Sequence, residues 1–202
     1  MTITYKVGTG LYVNMTNKCT NACDFCIRNN GDGAYGSDPL WLEREPEREE
    51  VLCAIKKAWG EDEYSELVFC GFGEPTCRLY DMLWICEELK KCIPDMRIRL
   101  NTNGQSDLIC KENTAPLFAG KVDAVSISLN SADAKKYQDV CHSEFGEEAY
   151  FSMLEFAKNV QEYVPDVALS VVSGFLSEED IEICKDISKK IGVNLRVREY
   201  SA

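Results

Sequence analysis

Histidine is almost absent: the 202 residues hold one, His142. Long apolar runs are absent too. No stretch of about 18 apolar residues occurs, so no membrane span is predicted. Met1 to Asn14 lack a basic segment followed by an apolar one and a small-residue cleavage site, so no secretory signal is expected. Basic residues are outnumbered, with 22 Lys and Arg against 34 Asp and Glu and a formal net charge of −12. That balance speaks against direct nucleic-acid binding, which needs clustered cations on the phosphate backbone. It favours solubility. A disulfide framework is missing as well. The cysteines number 11, an odd count without small-scaffold spacing. A reducing compartment, the cytoplasm, follows.

The length suits one domain over residues 1–202, with enough chain for a substantial core. Its densest feature is Cys19-Thr20-Asn21-Ala22-Cys23-Asp24-Phe25-Cys26, a C-x3-C-x2-C triplet after an apolar segment, Leu11 to Thr16. Clustered thiolates select zinc, copper(I) or iron–sulfur clusters. A zinc site takes a second cysteine pair or histidines, and neither is at hand. A [4Fe–4S] cube is normally held by four thiolates. Three would leave one iron open for a small ligand, as catalytic metal sites leave a position open. The blander reading is three unrelated cysteines in a cysteine-rich chain. The other eight cysteines form no close pair or triplet, so no second cluster is expected. Cys86 and Cys184 fall on apolar helix faces, where free cysteine acts as a small hydrophobe. Cys141 and His142 are neighbours, but adjacent helical residues do not face each other, and a surface histidine is expected.

β-Branched runs alternate with helical patterns, which predicts an α/β fold with parallel strands. Strands are expected near 11–16, 66–70, 96–102, 123–129, 166–173 and 194–200. A first helix should begin at Pro46 and end at Gly60. A second should run from about Cys77, with Thr76 as N-cap, to Pro94. A third, short one should include Thr114 to Ala119. Residues 132–163 should hold two helices broken near Gly146. Ser177-Glu178-Glu179-Asp180 resembles a capping box and opens the last, which ends at Gly192. The strands alternate: Tyr12 and Asn14 oppose Val13 and Met15, and Arg97, Arg99, Asn101 and Asn103 oppose Ile98 and Leu100. Ser126, Ser128 and Asn130 oppose Val125, Ile127 and Leu129, and Asn194, Arg196 and Arg198 oppose Leu195 and Val197. Parallel strands covered on both faces would be apolar throughout. One polar face therefore predicts a partial (β/α)6 barrel with a wet lumen. The competing reading is an open sheet with one face in solvent.

Phe69-Cys70-Gly71-Phe72-Gly73-Glu74-Pro75-Thr76 follows the second of these strands, at the end where α/β proteins bind ligands. Its glycines permit close backbone approach to a ligand. The next strand ends in Leu100-Asn101-Thr102-Asn103-Gly104. The 28–41 loop is long enough to suggest a lid, with Arg28, Asn29 and Asn30 expected at a substrate mouth. Arg99, Arg196 and Arg198 either bind an anionic substrate or pair with Glu74 or Glu199.

The cysteine triplet, with Phe25 before its third member, resembles that of the radical S-adenosylmethionine (SAM) superfamily. Gly71-Phe72-Gly73-Glu74-Pro75 resembles that superfamily's GGEP motif, with Phe72 as a variation. The resemblance implies a [4Fe–4S] cluster on Cys19, Cys23 and Cys26 and SAM chelated to the open iron. It implies reductive cleavage of SAM to a 5′-deoxyadenosyl radical. By the same resemblance Gly71, Gly73 and Glu74 receive the SAM ammonium, and Phe25 belongs to the cofactor site. Asn101 meets the ribose, Ser128 or Asn130 the methionine carboxylate, and Val172 the adenine. A reductant such as flavodoxin or ferredoxin is implied, with a small-molecule or peptide substrate. More narrowly, Cys26 to Gly33, Trp41 to Pro46, Phe69 to Thr76, Arg99 to Gly104 and Ser126 to Asn130 resemble the small radical SAM proteins associated with TatD-family nucleases. That suggests a pathway link. Other readings remain: a 7-carboxy-7-deazaguanine synthase-like or glycyl-radical-activase-like enzyme, or a non-enzymatic iron–sulfur electron carrier or structural zinc protein.

Overall fold

The computed structural model describes residues 1–199. Seven strands form one sheet in the order β1 to β7: β1 (Thr4–Val7), β2 (Gly10–Val13), β3 (Glu66–Phe69), β4 (Ile98–Thr102), β5 (Ala124–Ser128), β6 (Asp166–Val172) and β7 (Asn194–Arg198). From β2 onward every neighbouring pair is parallel, and the sheet is not closed. The six predicted strands are the six parallel ones, and Tyr200 of the last prediction lies outside the described residues. β1 was not expected. It is four residues long and pairs antiparallel with β2 around Gly8, whose φ is +58°. Thr-Tyr-Lys-Val is too short to show a period against its polar surroundings.

The helices are α1 (Arg48–Glu61), α2 (Leu79–Cys92), α3 (Ser106–Cys110), α4 (Ala134–Cys141), α5 (Glu148–Val160) and α6 (Glu178–Ile191). α1 starts two residues after the expected Pro46, and Gly60 lies inside its final turn. Thr76 does not cap α2. Pro75–Arg78 form a 3-10 turn, and the Glu74 side chain accepts from the Thr76 N–H at its start. The third predicted helix is a 3-10 turn, Ala115–Phe118, and α3 precedes it without having been predicted. The break between α4 and α5 holds His142 and Gly146, both at positive φ. Ser177 caps α6 by accepting from the Asp180 N–H, and Gly192 closes it at φ +92°.

The predicted alternation puts one strand face in the core. Val13, Leu67, Phe69, Ile98, Leu100, Val125, Ile127, Leu169 and Val171 pack there with Leu79, Met82, Cys86, Leu89, Phe118, Met153 and Phe156. Burying such side chains stabilises by about 1.5–3 kcal/mol each before entropy is counted. On the opposite face Arg99 forms a two-pronged pair with Glu66, at 2.7 and 3.1 Å, and donates to Asn101 Oδ1 at 2.9 Å. Arg196 faces Asp166 at 3.4 Å. Of the two readings for these arginines, pairing describes Arg99 and Arg196, although the partners are neither Glu74 nor Glu199.

Asn14 was expected to line the polar face. It is fully buried instead and bridges three segments. Its amide nitrogen donates to the Leu40 carbonyl at 2.6 Å and to the Thr2 carbonyl at 3.2 Å, and its oxygen accepts from the Phe72 N–H at 3.2 Å. Asn14→Ala strands these buried groups and should cost about 1–3 kcal/mol. Urea unfolding checks it, and an unchanged midpoint contradicts the assignment.

Candidate functional site at the carboxyl ends of the strands

Three backbone segments meet above the strand ends. The cysteine loop, residues 17–26, follows β2. The Gly71–Pro75 loop follows β3, and Asn103 to Gln105 follow β4. The first two touch through backbone: the Glu74 N–H donates to the Lys18 carbonyl at 2.8 Å. A methyl group at Gly73 would lie 2.3 Å from the Thr16 carbonyl oxygen and 2.6 Å from that of Lys18. At Gly71 it would lie 2.3 Å from Asn14 Oδ1. Close approach was expected toward a ligand. The tight contacts of these glycines are with the chain's own cysteine loop and the residues leading into it.

Glu74 ties the second segment to the third. Its Oε1 accepts from the Thr76 N–H at 3.0 Å, the Thr76 hydroxyl at 2.8 Å and the Thr102 hydroxyl at 2.7 Å. Its Oε2 accepts from the Asn103 N–H at 2.7 Å. Burial pushes this carboxyl above the usual range, and the four hydrogen bonds oppose that by favouring the charged form.

A buried polar network supports the cysteine loop from below. Thr20 accepts from Asn103 at 2.9 Å and donates to Gln105 at 2.7 Å. Gln105 donates to Asn21 Oδ1 at 2.8 Å and to the Tyr137 hydroxyl at 2.9 Å. On the other side, α4 holds the loop by its last carbonyls. Ala22 N–H donates to Cys141 and Asp24 N–H to Val140, both at 3.0 Å. His142 Nε2 lies 2.9 Å from Asp24 Oδ1, so the half-exposed histidine is a loop partner and not a catalytic mate of the buried Cys141. Sequence reasoning missed Thr20, Gln105 and Tyr137. Only the polarity of the residues between the cysteines signalled a partner network.

These segments enclose a cavity of about 310 Å³. Cys19, Cys23, Cys26, Phe25, Gly71, Gly73, Glu74, Asn101, Ser128, Asn130 and Val172 all line it. Every residue expected at the cluster and cofactor site therefore reaches one space. Arg28, Asn29 and Asn30 do not line it. Arg28 donates to the Asn21 carbonyl at 3.1 Å, and Asn29 donates to the carbonyls of Cys23 and Asp24 at 3.2 and 3.3 Å. The 28–41 loop instead contributes Ala34, Tyr35 and Leu40 to the wall, next to Tyr5 and Phe72.

Burial and the nearby Glu74 charge push the Cys19 thiol up to about 12. Burial also raises Cys26, and a hydrogen bond from Cys23 to the Cys141 thiol, with burial, raises Cys23. Thiols held this way ionise when a cation compensates them. Among the described residues no three His, Cys, Asp or Glu side chains converge as a single-ion site does. The triplet surrounds a shared space, which suits a cube whose irons take one cysteine each. Asn130 Oδ1 supplies another sign of a ligand. It is buried, lacks a partner among the described residues and lines the same cavity.

The sequence profile of the radical SAM superfamily matches residues 13–188. The chain belongs to the radical SAM superfamily. Members of that family are enzymes that use SAM and an iron–sulfur cluster. A probable GTP 3',8-cyclase of Methanosarcina mazei is 28% identical over 133 residues, covering 65% of this chain and 36% of the relative. The chain thus spans little more than a third of that curated relative. SuiB of Streptococcus suis bound to S-adenosylmethionine superposes with a TM-score of 0.71 at 21% identity, over 96% of this chain and 41% of SuiB. A radical SAM methyltransferase of Sphaerobacter thermophilus superposes at 0.65 with 13% identity, over 94% of this chain and 66% of that one. At such identities the likeness is one of fold. Among the described residues no helix is long and apolar enough to cross a membrane.

Glu74→Gln replaces one accepting oxygen with an NH2 donor that faces donors already pointing inward. Stability should drop by roughly 1–3 kcal/mol even without SAM. Thermal unfolding of the metal-free protein reads this directly. A drop seen only with SAM present would assign Glu74 to the ligand alone.

Proposed function

We propose that this chain is a radical SAM enzyme whose Cys19, Cys23 and Cys26 hold a [4Fe–4S] cluster. One observation carries the reading: the three thiols, the Gly71–Pro75 loop and the polar faces of β4 to β6 open into a single cavity. With SAM on the open iron, the cluster supplies the electron that cleaves the sulfonium and leaves a 5′-deoxyadenosyl radical for the substrate.

The chain's own residues position and exclude. The backbone around Gly71, Gly73 and Glu74 receives the SAM ammonium. Ser128 offers a hydroxyl donor to the methionine carboxylate. Asn130 presents an acceptor, which suits an ammonium or a ribose hydroxyl better than a carboxylate. Arg99 takes Asn101 Oδ1, so the Asn101 amide nitrogen is the group that faces the cavity, beside the Cys70 sulfur. Val172 packs on the adenine. Phe25, at 5.1 Å from Phe175 between ring centroids, closes that side against water.

The substrate is a small molecule or a peptide. Relatives include a probable GTP 3',8-cyclase and a SuiB structure with precursor peptide SuiA. The resemblance of the loop motifs, and of those after β3, β4 and β5, to the TatD-associated radical SAM proteins supports a pathway link to such a nuclease. Flavodoxin or ferredoxin supplies electrons in a reducing cytoplasm.

After anaerobic reconstitution with iron and sulfide, calorimetry should show SAM binding, and dithionite should yield 5′-deoxyadenosine. Cys26→Ala should abolish both. A loaded cluster with no affinity for SAM would favour an electron carrier or a structural metal site.

A further inference from the structure

Cys70 lines the cavity but belongs neither to the cysteine triplet nor to the packed helix faces that hold Cys86 and Cys184. Along β3, Leu67 and Phe69 enter the core, so Glu66, Val68 and Cys70 face the other side of the sheet. The register puts Cys70 level with Asn101 and Ser126, one step below Ser128 and Ser170. The residue is partly exposed. Asn101 lies beside the sulfur, and Arg99 fixes its amide. The Tyr5 hydroxyl donates to the Cys70 carbonyl at 3.0 Å and anchors the backbone. A second feature marks the same space as a ligand site: the unpartnered, buried Oδ1 of Asn130.

We propose that Cys70 donates a hydrogen atom to a carbon radical formed in this cavity, an inference that rests on the radical SAM reading above. A thiol S–H is weaker than an aliphatic C–H, so the transfer runs downhill. The S–H bond breaks, a C–H bond forms, and Cys70 is left as a thiyl. One electron from a low-potential one-electron reductant converts the thiyl to a thiolate. Burial disfavours a thiolate here and keeps the resting group a thiol, and the nearby Arg198 and Arg99 partly offset that while the charge lasts. A proton from water restores the thiol. Donation by Cys70 fits a reaction that ends in a reduced product, and it also quenches a radical that finds no substrate.

The reconstituted protein is given SAM and titanium(III) citrate in thiol-free D2O, without added substrate. Exchange makes Cys70 an S–D donor. Wild type should yield 5′-deoxyadenosine carrying one deuterium by mass spectrometry. Cys70→Ala and Cys70→Ser should lose most of that label, and Cys53→Ala, at an exposed cysteine away from the cavity, should keep it. The labelled fraction is the readout, so a lower yield in a variant does not blur the result. In the metal-free protein, iodoacetamide and peptide mapping should modify Cys70 ahead of the buried Cys86 and Cys184. Unlabelled 5′-deoxyadenosine from wild type, full label in the Cys70 variants, or a Cys70 as inert as Cys86 would overturn the proposal and leave the radical SAM reading standing. No 5′-deoxyadenosine at all from a loaded wild type would take both down.

Discussion

One backbone hydrogen bond sets the geometry of the site: the Glu74 N–H to the Lys18 carbonyl, at 2.8 Å. It joins the cysteine loop to the loop after β3, and it forms only because Gly73 has no side chain to hold the two apart. The Glu74 side chain then reaches the end of β4, so three successive strand ends are locked together by consecutive atoms of one residue. Cofactor sites need such support, because groups held on loops are placed no better than the bonds behind them.

That lock explains why the cavity can be polar without collapsing. Its inner faces carry Asn101, Ser126, Ser128 and Ser170, and Arg99 with Glu66 lies one level below Asn101 and Ser126. Buried polar groups are tolerated where each finds a partner. Here nearly all do. Within the cavity lining, Asn130 Oδ1 stands out because it does not.

Much of this was legible in the amino-acid order. The alternation of Asn101 with Leu100, and of Ser128 with Ile127, told which face met helices and which met the cavity. The cysteine spacing and the Gly71–Pro75 string named residues that now share one cavity. What escaped was contact between distant segments whose local sequence is ordinary. Asn14 read as a lumen residue, yet its partners, Thr2, Leu40 and Phe72, lie on three separate stretches. Glu74 read as a ligand group, and nothing local shows that Thr76, Thr102 and Asn103 converge on it. β1 escaped because four residues carry no period. Arg28 and Asn29 pointed to a mouth by composition, but both donate to carbonyls of the neighbouring cysteine loop.

The grip of α4 on the cysteine loop has a bearing on assembly. Residues 22 and 24 are held by carbonyls of residues 140 and 141, so the ligand loop borrows its shape from a helix that emerges much later from the ribosome. For the cluster proposed above, iron delivered before that helix has docked would meet three thiols on a slack tether, and chelation would then depend on chance encounter. Damage to α4 would therefore first show itself as an iron-poor preparation with its strands intact, and it would be mistaken for a fault in the metal supply.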